Sequence, residues 1–204
     1  MRKNIKWIFC IISFIVFMLL ACLVKLNDSL KIDTVIYNLM ANIISDNMTI
    51  LVKFITFLGS ATIVILITIF LLVLLKNKKT GLFSGLNLII ITIFQYILKY
   101  LIGRPRPVGI NLIEEKNYSF PSGHSLTVMA FYGFIIYLIY KSNLKHKKIY
   151  ITLLVILILL IGLSRVYLGV HYITDVLGGF TFSLFYLIIY ISIIKKYLEE
   201  NNKK

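Results

Sequence analysis

The chain has 204 residues, 59% of them hydrophobic, and a mean hydropathy of +0.92; a soluble domain is roughly 45–50% apolar, so an ordinary cytosolic enzyme is excluded, and so apolar a chain cannot stay solvated as a disordered one. The balance of 22 basic to 8 acidic residues gives a net charge of +14. On a soluble protein that excess would point to nucleic acid, but here the basic residues cluster between apolar runs, as in the cytoplasmic loops of a membrane protein, so no nucleic-acid partner is expected.

Residues 7–26 form the first apolar run, behind Arg2, Lys3 and Lys6. The run is longer than the apolar stretch of a signal peptide, so a retained span is expected. Leu19, Leu20, Ala21 and Cys22 only loosely resemble a lipoprotein processing site, Leu20 being a poor residue there. Cys10 and Cys22 both fall in this run and make neither a disulfide framework nor a metal site. Residues 28–47 are interrupted by Asp28, Lys31, Asp33, Asn38, Asn42 and Asp46, while Ile32, Val35, Ile36, Leu39, Met40 and Ile43 recur at helical spacing. That pattern predicts an amphipathic helix lying in the membrane interface. Further apolar runs at about 50–75, 81–102, 123–140, 149–166 and 173–194 complete six spans. Gly81 and Gly85 match a small-xxx-small helix contact, although at a helix start this spacing is more often chance.

The N-terminus, the 76–79 and 141–148 connections and the C-terminal tail hold most of the basic residues. They are expected on the cytoplasmic side of a bacterial plasma membrane, with both termini inside. The other side receives residues 28–47, 103–121 and 167–172. The expected fold is therefore all-α: one domain over residues 1–204, a bundle of six transmembrane helices with a short amphipathic helix between spans one and two. Its chemistry concentrates in a core at about 81–195.

Unusual residues gather at the outer ends of spans three to six. Lys99 lies in the last turn of span three, Ser122, Gly123 and His124 open span four, Ser164 and Arg165 end span five, and His171 and Asp175 open span six. A charge at the membrane centre costs roughly 3 kcal/mol on insertion scales and less near the interface, so charges beside the apolar core need a reason to be there. Lys99, Arg106 and Arg165 supply three cations, two of them guanidinium forks matched to phosphate oxygens. The helix beginning at Ser122 and Gly123 adds free N–H groups and a positive dipole end. An anionic, tetrahedral ligand follows. His171 and Asp175 are spaced i, i+4, which puts a carboxylate behind an imidazole and leaves the other ring nitrogen free as a nucleophile. His124, at a helix N-terminus, can protonate a leaving oxygen. Beyond Asp175 the outer loop offers only Glu114 and Glu115, too few hard ligands for Mg²⁺, and these two read as solvating the loop. Arg104 reads as a lipid head-group contact, and His146 as a solvated loop residue.

Lys99 with Arg106 and Pro107 matches K-x6-R-P, Pro121 to His124 matches P-S-G-H, and Ser164, Arg165, His171 and Asp175 match S-R-x5-H-x3-D. In these motifs the chain resembles the type 2 phosphatidic acid phosphatase superfamily, which also contains vanadium haloperoxidases. The resemblance implies a lipid phosphatase in which His171 forms a phosphohistidine, Asp175 orients it and His124 protonates the leaving group. It also implies that Lys99, Arg106, Ser122, Gly123, Ser164 and Arg165 hold the phosphate, with no cofactor or metal. Bacterial members of this compact form act on undecaprenyl diphosphate, phosphatidylglycerol phosphate, phosphatidic acid or diacylglycerol diphosphate. The motifs do not choose among these, nor do they tell the oligomeric state. They leave open a phosphotransferase passing the phosphate to another acceptor, and a non-enzymatic protein that binds anionic lipid.

Overall fold

The structure, a computed structural model, describes residues 3–74 and 78–199. Among these every regular element is a helix: α1 (Lys3–Leu26), α2 (Lys31–Ala41), α3 (Asp46–Phe57), α4 (Ala61–Leu74), α5 (Lys78–Ile102), α6 (Gly123–Lys141), α7 (Lys147–Tyr167) and α8 (Ile173–Glu199). Arg2, Lys76 and the tail from residue 200 fall outside the described residues. Five helices are individually long and apolar enough to cross a membrane, and α3 with α4 makes a sixth if the bent pair counts as one span.

That pair is where the chain departs from a straight span over 50–75. α3 and α4 meet at 41° across a short break. Helix termini leave backbone groups without intrahelical partners, and in hydrocarbon these must be satisfied by protein. Ser60 Oγ accepts from the Ile63 N–H at 3.4 Å, capping α4, and the Leu58 carbonyl accepts from the Tyr132 hydroxyl on α6 at 2.6 Å. A Cβ at Gly59 would lie 2.6 Å from an Ile161 methyl and 2.9 Å from one of Val128, so the break lets α6 and α7 close in.

α8 is the hub and packs between α1 and α6. Phe17 of α1, Ile91 of α5, Leu126 and Phe134 of α6, and Phe182 and Tyr186 of α8 share one core. Between helices in lipid, close packing and hydrogen bonds replace the hydrophobic drive. Accordingly Asn87 Nδ2 donates to the Ala130 carbonyl at 2.9 Å, Ser183 Oγ to that of Leu126 at 2.7 Å and Tyr190 to that of Phe83 at 2.5 Å. The spacing of Gly81 and Gly85 is no accident: a Cβ at Gly81 would lie 2.6 Å from the Leu72 backbone, and one at Gly85 would touch Thr68 at 3.5 Å, so both glycines face α4.

α2 matches the amphipathic helix of 28–47 but is shorter and inside out. Ile32, Val35 and Leu39 are exposed, whereas Asp33 is buried. The apolar face is turned away from the protein, as an interfacial helix requires, and the acid is turned into it.

Candidate active site

The C-terminal ends of α5 and α7, the N-terminal ends of α6 and α8, and the 103–122 loop converge at one end of the bundle. The connection from α7 to α8 is bent back sharply. Gly169 sits at φ +74°, and a Cβ there would fall 1.6 Å from the Ile110 carbonyl oxygen. Only glycine suits that left-handed, crowded position. The Leu112 N–H donates to the Leu168 carbonyl at 3.2 Å, and the His171 N–H turns back to the Arg165 carbonyl at 3.3 Å. The Ser122 N–H donates to the Asp175 carbonyl at 3.0 Å, which ties the start of α6 to the first turn of α8.

His171 lies two residues ahead of α8, so its pairing with Asp175 comes from this turn and not from a shared helical face. His171 Nδ1 stands 3.3 Å from Asp175 Oδ2, which also accepts from the Tyr172 N–H at 2.9 Å. Arg106 Nη1 stands 3.3 Å from His171 Nε2. A guanidinium can only donate, so this network assigns the proton to Nδ1 and leaves Nε2 unprotonated, its lone pair accepting from Arg106. Burial first, then the positive charges of Lys99, Arg106 and Arg165, hold the imidazole well below its usual pKa. It is neutral at physiological pH.

Beside it opens a cavity of about 590 Å³. Lys99, Arg106, Gly123, His124 and His171 line its polar end, and Val64, Ile65, Leu88, Ile89 and Ile93 of α4 and α5 line its apolar wall. Arg106 is fixed by donation from Nε to the Asn117 carbonyl at 2.5 Å and from Nη1 to that of Val170 at 2.7 Å. Lys99 Nζ donates to the Tyr118 carbonyl. Where a Cβ of Gly123 would stand, the Gln95 amide packs at 2.7 Å, so the bare α6 terminus is approached by a side chain of α5.

The remaining expected contacts, Ser122, Ser164 and Arg165, have partners of their own within the protein. Ser122 is the N-cap of α6, accepting from the Ser125 N–H at 3.4 Å and its hydroxyl at 3.0 Å. Ser164 Oγ donates to the Ile161 carbonyl of its own helix at 2.6 Å. Neither lines the cavity. Arg165 lies behind Glu115: Nη2 donates to Glu115 Oε1 at 2.5 Å, Nη1 to Thr56 Oγ1 at 3.0 Å, and its buried Nε has no hydrogen-bond partner. Glu115 therefore does not merely solvate the loop; its other oxygen is 3.7 Å from Arg106 Nη2.

The larger correction concerns Arg104. It does not reach for lipid head groups but is 1% exposed behind the His171–Asp175 pair. Nη1 donates to Asp175 Oδ1 at 2.5 Å and to Thr174 Oγ1 at 2.8 Å, Nη2 to Asp33 Oδ2 at 2.6 Å, and Nε to the Asp28 carbonyl at 2.9 Å. A buried guanidinium needs hydrogen-bond partners, and two carboxylates, a hydroxyl and a carbonyl give each of its three nitrogens at least one. Arg104, Asp33, Thr56, Gln95 and Thr174 all escape sequence reasoning. Arg104 carried the same signal as Arg165, a charge beside the apolar core; the others carried none.

The PAP2 superfamily matches residues 80–199. Phosphatidylglycerophosphatase B of Bacillus subtilis (strain 168) is 45% identical over 91 residues, a match covering 43% of this chain and 45% of that protein, under half its length. Undecaprenyl-diphosphatase of Sulfolobus acidocaldarius is 28% identical over 188 residues, 88% of this chain and 86% of that one. The crystal structure of the transmembrane PAP2 type phosphatidylglycerolphosphate phosphatase from Bacillus subtilis superposes with a TM-score of 0.83 at 30% identity, over 92% of this chain and 96% of that one. A family match over most of the chain, and a superposition that extends it through the N-terminal helices, agree with the geometry of the three motifs: the chain belongs to the PAP2 superfamily.

Proposed function

We propose that this protein is a membrane-integral lipid phosphatase that removes phosphate from a lipid phosphomonoester or diphosphate at the extracytoplasmic face. The observation that carries the reading is the cavity. Its polar end holds a neutral His171 with Nε2 unprotonated beside Arg106, a donor that an incoming phosphate oxygen can draw away, and its wall runs along α4 and α5 through apolar residues. A head group at the polar end can leave its tails in lipid.

The chemistry follows from the positions. The Nε2 lone pair attacks phosphorus, forming an N–P bond as the bond from phosphorus to the leaving oxygen breaks, and that oxygen keeps the electron pair. His124 donates it a proton. Asp175 holds Nδ1–H and stabilises the cationic ring. Water, giving a proton back to His124, then attacks the phosphohistidine, the N–P bond breaks and inorganic phosphate leaves. Lys99, Arg106, Arg165 and the N–H groups at Gly123 supply the positive field at the transferring oxygens. That supply makes a metal unnecessary, and activity in excess EDTA is expected to equal that without it; a strict requirement for added Mg²⁺ would overturn this part. The relatives act, by name, on phosphatidylglycerophosphate and undecaprenyl diphosphate, and both kinds of substrate suit such a cavity.

The experiment is a panel of lipid phosphates and diphosphates assayed for phosphate release in detergent, with His171→Ala alongside. Release by the native protein and none by the variant is expected. Substantial release by His171→Ala would remove His171 as nucleophile, and none by the native protein on any substrate would leave an anionic-lipid-binding protein.

A further inference from the structure

Behind the nucleophile runs a line of four ionisable groups. His171 Nδ1 faces Asp175 Oδ2 at 3.3 Å, Asp175 Oδ1 takes Arg104 Nη1 at 2.5 Å, and Arg104 Nη2 gives to Asp33 Oδ2 at 2.6 Å. The side chains of Arg104, Asp33 and Asp175 are 0% exposed in these pairs. Asp33 does not sit there passively. Its Oδ1 accepts from the Thr174 N–H at 3.0 Å and from the Thr174 hydroxyl at 2.8 Å, gripping the first turn of α8 one residue before Asp175. The Tyr172 ring covers the guanidinium at 4.2 Å. Arg104 is thus the bridge between two buried carboxylates, only one of which touches the histidine.

We propose that Arg104 and Asp33 are positioning residues for the His171–Asp175 pair, through which the interfacial helix α2 sets the orientation and field of the nucleophile. The inference rests on the phosphohistidine reading above. Its physical content is twofold. Asp175 has two oxygens; Arg104 holds one so that the other points at Nδ1. And Arg104 adds a positive charge that Asp33 offsets, in a site where Lys99 from α5, His124 from α6, Arg165 from α7 and Arg106 from the loop already face the imidazole. Removing Arg104 makes the imidazole easier to protonate, whereas removing the charge of Asp33 makes it harder.

The test compares Arg104→Met and Asp33→Asn with the native protein and His171→Ala on one lipid phosphate at fixed detergent ratio. Arg104→Met is expected to lower kcat by about 100-fold or more, with KM within roughly threefold, because substrate does not touch Arg104. The acid limb of kcat/KM is expected at higher pH in Arg104→Met and at lower pH in Asp33→Asn. A purely structural role would not move the two limbs in opposite directions. Asn is isosteric with Asp and keeps an oxygen for Thr174, so Asp33→Asn decides the matter if Arg104→Met does not fold. Folded variants with native kcat and an unmoved acid limb overturn the inference. An inactive native protein, or an active His171→Ala, overturns instead the reading on which it rests.

An independent observation concerns the front of the site. The Glu115 carboxylate, itself lining the cavity, spans Arg106 at the polar end at 3.7 Å and Arg165 behind it at 2.5 Å, and its side chain is 32% exposed. We infer that Glu115 is a displaceable occupant of the anion site, a built-in competitor for the incoming phosphate. A state held closed by its own carboxylate lowers apparent affinity by the fraction of molecules open. Glu115→Gln should therefore bind orthovanadate, titrated calorimetrically on the purified protein, at least about threefold more tightly than the native chain. Binding needs no turnover. Equal or weaker binding in Glu115→Gln overturns the inference alone; no binding to either protein overturns the anion site as well.

Discussion

Arg104 and Arg106 stand two residues apart, yet the chain sends them to opposite sides of one imidazole, Arg106 to Nε2 and Arg104 to the carboxylate behind Nδ1. Pro105 and Pro107, each with φ fixed near −65°, stiffen the segment that divides them. Arg165 makes two directed bonds from one fork, to Thr56 and Glu115, and a lysine cannot reproduce them. Arg165→Lys is expected to lower kcat at least tenfold, about 1.4 kcal/mol, with a smaller change in KM, measured on a single lipid substrate. The pH dependence follows from His171. Because its folded pKa is depressed, its contribution to stability is present above the ordinary histidine pKa and is lost as pH falls through the folded value. Lys99 is one of the cations that depress it, so Lys99→Met should move the acid limb of kcat/KM to higher pH; a limb that stays or falls would show that the ammonium does not act on His171. The motif residues were legible because charge stands out against an apolar background. Arg104 carried as much charge but misled, because its partner Asp33 lies 71 residues away and only the fold joins them. Ser122 and Ser164 show what a motif does not carry: each hydroxyl has a hydrogen bond within its own helix, which only the fold reveals.

At the scale of elements, hydropathy located the helices and the basic clusters divided them, since span length follows from bilayer thickness. What it did not reveal is the break between α3 and α4. Gly59 and Ser60 fall inside the apolar run 50–75 without interrupting it, and the hydroxyl that donates to the Leu58 carbonyl comes from α6. Tyr132→Phe leaves that carbonyl bare, and a loss of about 1–3 kcal/mol in thermal unfolding in detergent is expected. The turn from α7 to α8 is less forgiving. Gly169→Ala puts a methyl on the Ile110 carbonyl in a left-handed backbone, so a destabilisation of more than about 2 kcal/mol is expected, with loss of activity because His171 lies two residues on. A native melting temperature would show that the 103–122 loop yields at no cost.

For the whole molecule, the site and the α6–α7 connection lie at opposite ends of the bundle, so one labelling experiment orients both. With Cys10 and Cys22 replaced, a cysteine at the exposed Asn117 should react with an impermeant thiol reagent in intact cells, and one at the exposed Lys145 should not. The reverse pattern would put the chemistry in the cytoplasm. The ion cluster behind His171 also bears on how the chain is made. Membrane insertion runs from the N-terminus, so Asp33 is delivered first, Arg104 three spans in and Asp175 only with the last helix. α2 packs on α7 and α8, which means that its acid waits without a docking place until translation is nearly over. The cluster is then a completion latch. Only with Thr174 and Asp175 of the last helix do Asp33 and Arg104 gain the partners that bury them.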